Sequence, residues 1–453
     1  MIQYPHVLEE ETKEQYLDKN QTHQNLGDKK MNPIYKSTQI TLSNQIDENR
    51  LYDHIFNLQG IKHPLTAPEA LEKGRNYIKS EFEKIGIEVI EESFELEGCD
   101  LIFKNIIGVL DLSDGTEDEV IVSGHHDTVF DAPGANDNAS ACAAVLEVAR
   151  VIYENKDTLS GNYRFITFDL EEGHPVLDSA IWELGPKYNV RDRNYFTKLA
   201  YKKNHEILYP FLYMLKAHND RDKVMAKVHE LEMDDNEREY YTELIDHLLA
   251  FAKGKDWPGR IYLLGSAHYV AQAKLENRKI KGIINLDTVA YTSESKNSQT
   301  YPKGLPVILL KIATMPILRS IPFISKRFKA TGVKDVTVGN FASLLVDANS
   351  IGEADIFFDS SKLIGLKAIG IYSGMNYETL RMKMPDLLRA DHAPFWRDII
   401  PGIFISDGAN FRYPYYHNGA DDITHLNFDF LKKVTQASLL TLIAMAENEV
   451  SLR

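Results

Sequence analysis

Residues 119–138 read Glu-Val-Ile-Val-Ser-Gly-His-His-Asp-Thr-Val-Phe-Asp-Ala-Pro-Gly-Ala-Asn-Asp-Asn. Glu119 to Ser123 is a short apolar run that reads as a strand, and it empties into Gly124-His125-His126-Asp127. A loop over 131–136, broken by Pro133 and Gly134, leads to Asp137. A helix follows, with Cys142, Val145, Leu146, Ala149 and Ile152 on one face. Arg164 to Leu170 is the next strand, and it ends in Glu171-Glu172. His and carboxylates therefore gather where strands end, which is where open α/β sheets place their sites.

The same rhythm extends outward. Thr66-Ala67-Pro68-Glu69 reads as a capping box with an early proline. Leu71, Tyr77, Ile78, Phe82 and Ile85 follow at helical spacing, and Gly86 supplies the stop. Ile87 to Leu96 and Lys104 to Leu110 read as strands. The β/α alternation resumes at Ile261 to Gly265, with strands at 280–286, 366–372 and 402–406 and a terminal helix over 427–446. Strands alternating with helices imply a three-layer α/β sheet. Between 174 and 260 the texture changes to helix formers with Tyr, Lys, Glu and Asp. The expected organisation is a loosely ordered lead over 1–45, with Met31 an alternative start, and a catalytic domain in two parts, 46–173 and 261–453, split by a helical insertion over 174–260.

Composition excludes several classes. The 453 residues carry 51 Lys and Arg against 66 Asp and Glu, a net charge of −15, which disfavours nucleic acid and anionic membranes as partners. Two cysteines, Cys99 and Cys142, make no disulfide framework, so any metal site must use His and carboxylates. The apolar stretch 305–324 is broken by Lys311, Pro316, Arg319 and Pro322, which a spanning helix would not carry easily. Met1 to Lys30 shows no basic segment followed by an apolar one, so the expected location is the cytoplasm.

Taken singly, each polar cluster has an ordinary reading. His125 and Asp127 share a side of an extended backbone, which suits a metal-ligating imidazole braced by a carboxylate or a surface turn with a local hydrogen bond. Asp137, Asn138 or Ser140 would serve as a helix N-cap. Glu171 and Glu172 repel each other unless a cation is near, or are simply solvated. Asp287 closes the strand Ile283-Ile284-Asn285-Leu286 as a ligand or a turn starter, and His417 lies in a loop after Tyr415-Tyr416.

In order, these motifs say more. Gly-His-His-Asp-Thr, Pro-Gly-Ala-Asn-Asp-Asn-Ala-Ser, a strand ending Glu-Glu, Asn-Leu-Asp and Tyr-His-Asn-Gly-Ala-Asp together resemble the dizinc metallo-aminopeptidase family, whose relatives include glutamate carboxypeptidase, glutaminyl cyclase and the transferrin receptor ectodomain. The resemblance covers roughly 50–172 and 261–450. It implies a three-layer α/β/α fold with a mixed, mostly parallel sheet. It implies two Zn²⁺ per chain, or Co²⁺ or Mn²⁺ in their place. His125 and Asp287 would hold one ion, Glu172 and His417 the other, with Asp137 bridging both. Asp127 would orient His125, and Glu171 would be the general base acting on a hydroxide between the ions. Asp421 falls where the family supports its closing loop. Asp391, His392 and Tyr416 fall near the substrate pocket.

The implied activity is removal of the N-terminal residue from short peptides. Rival readings are a carboxypeptidase or a glutaminyl cyclase of the same family, or a non-catalytic scaffold. The contexts of Asp137 and Asp287 look like the two-metal form, which argues against a cyclase. A full ligand set with Glu171 argues against a scaffold. Two departures stand out. Ala141 replaces a frequent Gly, and Leu263-Leu264-Gly265-Ser266-Ala267-His268-Tyr269-Val270 stands far downstream of Glu172 rather than just after it. The intervening insertion reads as a lid over the site or as an arm for self-association.

Overall fold

The structure is a computed structural model that describes residues 38, 40–96, 99–113, 118–173, 175, 184, 187, 188, 221–230, 233–252, 262–302, 305, 307–315 and 326–447. The segment 118–125 is buried along nearly its whole length, as a strand covered on both faces must be, and a nine-stranded mixed sheet forms about it. The strands are β1 (Glu88–Glu95), β2 (Ile102–Asp111), β3 (Asp118–His125), β4 (Asn162–Phe168), β5 (Lys279–Leu286), β6 (Phe328–Thr331), β7 (Ala342–Val346), β8 (Ala368–Tyr372) and β9 (Gly402–Ser406). Their spatial order is β1-β2-β4-β3-β5-β9-β7-β8-β6. The central strands β4, β3, β5 and β9 are parallel. β1 and β6 run with them, while β2, β7 and β8 run against them.

The helices are α1 (Glu48–Leu58), α2 (Pro68–Ile85), α3 (Ser140–Glu154), α4 (Arg221–Glu230), α5 (Asp235–Ala252), α6 (Leu264–Leu275), α7 (Val307–Ala313), α8 (Ile351–Ile364), α9 (Tyr377–Lys383), α10 (His392–Arg397) and α11 (Phe428–Glu447). Val120 and Val122 of β3 face one layer, with Leu51, Ile78, Phe82, Val145, Phe357 and Leu439 from α1, α2, α3, α8 and α11. Ile121 between them faces the other, with Tyr269, Val270 and Phe395 from α6 and α10. This period-two division produces the three layers expected from the sequence. Each such side chain taken wholly from water stabilises the fold by about 1.5–3 kcal/mol. α3 is Ala-rich where it passes β3. A side chain at Gly124 would lie only 2.6 Å from the Ala141 methyl, so helix and strand touch beside His125. Ala141 is therefore accommodated by Gly124.

Several expectations change in detail. Thr66 does not close a capping box: α2 starts at Pro68 behind Ala67, and the Thr66 hydroxyl donates to the Phe130 carbonyl at 3.0 Å. The stop at Gly86 is observed, with φ 90°. The lead ends earlier than residue 45. Residues 40–43 are helical, Leu42 and Ile46 join the core, and Gln436 donates to the Ser43 carbonyl. The rest of the lead, Met31 included, lies outside the described residues. Residues 292–400 hold α7, β6, β7, α8, α9 and α10 besides the expected strand. No helix among the described residues is long and apolar enough to cross a membrane. Of the insertion, α4 and α5 are described. They pack on each other, and Val228, Tyr240, Tyr241, Leu244 and Ile245 are buried.

Candidate metal centre

Parallel pairing sets four strand ends side by side. His125 of β3 stands level with Phe168 of β4, Ser123 with Asn285 of β5, and Leu286 of β5 with Ile405 of β9. Glu171, Glu172 and Asp287 therefore emerge at the same edge as His125. Asp137 arrives there from the turn before α3, whose Asp137–Asn138 peptide is cis. His417 comes from the loop after β9.

These side chains converge. His125 Nε2 lies 3.2 Å from Asp137 Oδ1, 3.9 Å from Asp287 Oδ1 and 4.0 Å from Glu171 Oε2. His417 Nε2 lies 3.2 Å from Asp137 Oδ2 and 3.1 Å from Glu172 Oε2. Three groups have ligand atoms close enough to share one ion: His125, Asp137 and Asp287; Asp137, Glu172 and His417; and His125, Glu171 and Glu172. The first two share Asp137, one oxygen facing each imidazole. All five proposed ligands and Glu171 are thus gathered at one point.

The electrostatics describe a site short of positive charge. Burial opposes a charge on His125, yet Glu171, Asp127, Asp137 and Asp287 hold its imidazole well above the usual range. His417 is likewise raised to about 10 by Glu172 and Asp137 against its burial. Burial pushes Glu171 well above the carboxylate range and Glu172 up to about 7, and it raises Asp287. Asp137 is lowered despite burial, because both imidazoles face it. Among the described residues, His125 Nε2, Asp137 Oδ2 and Asp287 Oδ1 are buried without an aligned hydrogen-bond partner. Orphaned buried ligand atoms crowded by carboxylates fit a divalent cation, which supplies the missing charge. Imidazole and carboxylate donors without thiolate suit Zn²⁺.

Asp127 does more than orient a ring. His125 Nδ1 is 3.2 Å from the Asp127 carbonyl and 3.4 Å from its carboxylate. The two carboxylate oxygens accept the backbone N–H of Glu171 and of Glu172, at 3.2 and 3.1 Å. Asp127 thereby ties the end of β3 to the end of β4. Asp421 accepts the N–H of Asn136 at 2.8 Å and of Asp137 at 3.1 Å, with Tyr413 donating to it. Tyr416 stacks on His417, ring centroids 3.9 Å apart, and its hydroxyl accepts from Arg389. Asp391 is fully buried beside Ser266, whose hydroxyl also lies 3.2 Å from the Leu263 carbonyl. Burial raises Asp391 to about 8, and its charge acts on Glu171. His392 is not brought into the cluster. Its Nε2 pairs with the Leu387 carbonyl and its ring packs between Trp396 and Phe404. Asn136, Asn138 and Asp407 support the site, though the sequence marked none of them as a site residue. The two asparagines were legible as flanks of Asp137, whereas nothing local marks Asp407.

Residues 105–316 match the description Peptidase family M28. Over 68 residues the chain is 34% identical to Endoplasmic reticulum metallopeptidase 1 of Mus musculus and of Homo sapiens, a match to 15% of this chain and only 8% of each relative's length. The crystal structure of Legionella pneumophila LapA aminopeptidase aligns with 93% of this chain and 78% of that one, at a TM-score of 0.51 and 14% identity. LapB from Legionella pneumophila aligns with 91% and 75%, at 0.52 and 14%. Identities this low speak for the fold. The motif order and the match over residues 105–316 support a metal-dependent peptidase or cyclase. The family recognised in the sequence is the one matched, peptidase family M28.

Proposed function

We propose that this chain is a two-zinc aminopeptidase that removes the N-terminal residue of short peptides. The observation that carries the reading is the pair of ligand groups sharing Asp137, with Glu171 beside them and in neither pair. Two divalent ions held there would lower the pKa of a water and polarise the scissile carbonyl. His125 and Asp287 would hold one ion and Glu172 and His417 the other, with Asp137 common to both. Glu171 would take the proton of the attacking water and hand it to the leaving amine. Asp127 fixes the backbone amides of both glutamates. The choice of the amino end rests on the family resemblance.

Preference for short substrates rests on the insertion. Its return limb is stitched to the site: Leu263 N–H donates to the Glu171 carbonyl at 3.0 Å and Leu264 N–H to that of Leu170 at 2.9 Å. Leu263 and Leu264, where the chain resumes after the insertion, therefore lie beside the ligand cluster.

The test is purified protein with Zn²⁺ or Co²⁺, assayed against free and N-blocked dipeptides and aminoacyl anilides, with bound metal counted by elemental analysis. Two ions per chain and cleavage confined to free N-termini are expected. One ion or none would overturn the dinuclear reading, and cleavage of N-blocked peptides alone would overturn the aminopeptidase reading.

A further inference from the structure

Asp407 lies just beyond β9, is fully buried, and accepts three N–H donors. Its Oδ1 takes the Ala409 amide at 3.0 Å. Its Oδ2 takes both the Asn136 side-chain amide and the Tyr291 backbone amide, each at 2.8 Å. Asn136 precedes Asp137, and Tyr291 belongs to the loop that follows Asp287. One oxygen therefore grips both ligand-bearing loops. Asn136 completes the link through Oδ1, which accepts the Ala290 N–H at 2.9 Å. On the far side of Asp137, Asn138 donates to the Leu286 carbonyl and accepts from Thr288, both at the end of β5.

We propose that Asp407 is a positioning residue for the metal centre: through Asn136 and Tyr291 it sets the distance between Asp137 and Asp287. This rests on the reading of those two aspartates as ligands. A side chain at 407 must offer an acceptor to two donors at one point, which no apolar residue can do. An asparagine can keep that shared oxygen and gives up only the bond from the Ala409 N–H, which its NH2 cannot accept. Outer partners of this kind typically change metal affinity by 10–100-fold when lost.

The experiment is Zn²⁺ affinity, measured by competition with a chromogenic chelator, for wild type, Asp407→Leu, Asp407→Asn, Asn136→Ala and the Leu/Ala double variant. Circular dichroism of the metal-free proteins checks folding. Asp407→Leu and Asn136→Ala are each expected to bind at least one ion about 10–100-fold more weakly. The double variant should be no worse than the worse single one, and Asp407→Asn should recover most of the loss. Wild-type affinity in both single variants, losses that multiply in the double, or Asp407→Asn as weak as Asp407→Leu would each overturn the proposal. Should Asp407→Leu fail to fold, Asn136→Ala decides alone, with wild-type affinity as the overturning result. Failure of the wild type itself to bind Zn²⁺ would instead overturn the ligand assignment beneath.

Discussion

Glu171 and Glu172 are neighbours in the chain with different surroundings. Glu172 Oε2 sits 3.1 Å from His417 Nε2, inside a ligand group with Asp137. The closest approach of Glu171 to an imidazole is 4.0 Å, and burial raises the carboxyls of both glutamates. Glu171→Gln is expected to lower kcat by about 10²–10⁴ while both metals stay bound. Glu172→Gln should instead lose one ion. Elemental analysis beside steady-state kinetics separates the two, and near-native kcat in Glu171→Gln would remove it as the base. At this scale the identities were legible, because a pattern of His, Asp and Glu at strand ends is written locally. The double duty of Asp127 was not. Its acceptors serve amides in β4's following turn, 44 and 45 residues away.

Elements meet through charges that the sequence does not pair. Glu147, on α3, accepts from Arg50 at 2.6 Å, from Arg150 at 2.7 Å and from the Asp47 amide at 3.1 Å, which fastens the start of α1 to α3. Burial alone would raise its carboxyl, but the two guanidinium groups hold it below the ordinary glutamate range. A carboxyl lowered in the folded state stabilises at pH above its unfolded value, about 4.3, and loses that contribution as pH falls through its folded value. Glu147→Gln should therefore cost about 1.5–3 kcal/mol at pH 7, with the difference from wild type shrinking toward pH 3. Denaturant unfolding of the metal-free proteins at both values checks it, and a difference independent of pH would refute it. α2, α3, α11 and β9 were readable from periodicity and apolar runs, whereas α8 (Ile351–Ile364) was not picked out. β6 and β7 were not, since four or five residues carry too little pattern to separate a strand from a loop.

For the whole molecule, the insertion is the feature that sets this chain apart from the pattern it resembles. Gly265 on its return limb has no room for a side chain, since a Cβ would collide with the Asp169 carbonyl and the Asn105 amide. The start of α6 is thus packed against Asp169, in the turn after β4 that carries Glu171, and against Asn105 of β2. Replacing 176–258 by a Gly/Ser linker is expected to raise the ratio of long-peptide to dipeptide kcat/KM, with metals retained. An unchanged ratio together with a smaller species in light scattering would make the insertion an assembly arm. The sequence by itself determined the layered α/β class, the edge of the sheet that bears the site and the identity of the clustered side chains. These follow from periodicity and from residue chemistry, both local properties. Only the tertiary structure decided that Asp137 faces His125 and His417 at once, that His392 turns into the apolar layer, and that Asp407 joins the loops of β5 and β9. Those outcomes depend on strand order and register, which no single stretch of chain encodes, because parallel neighbours are brought together by crossovers of many residues.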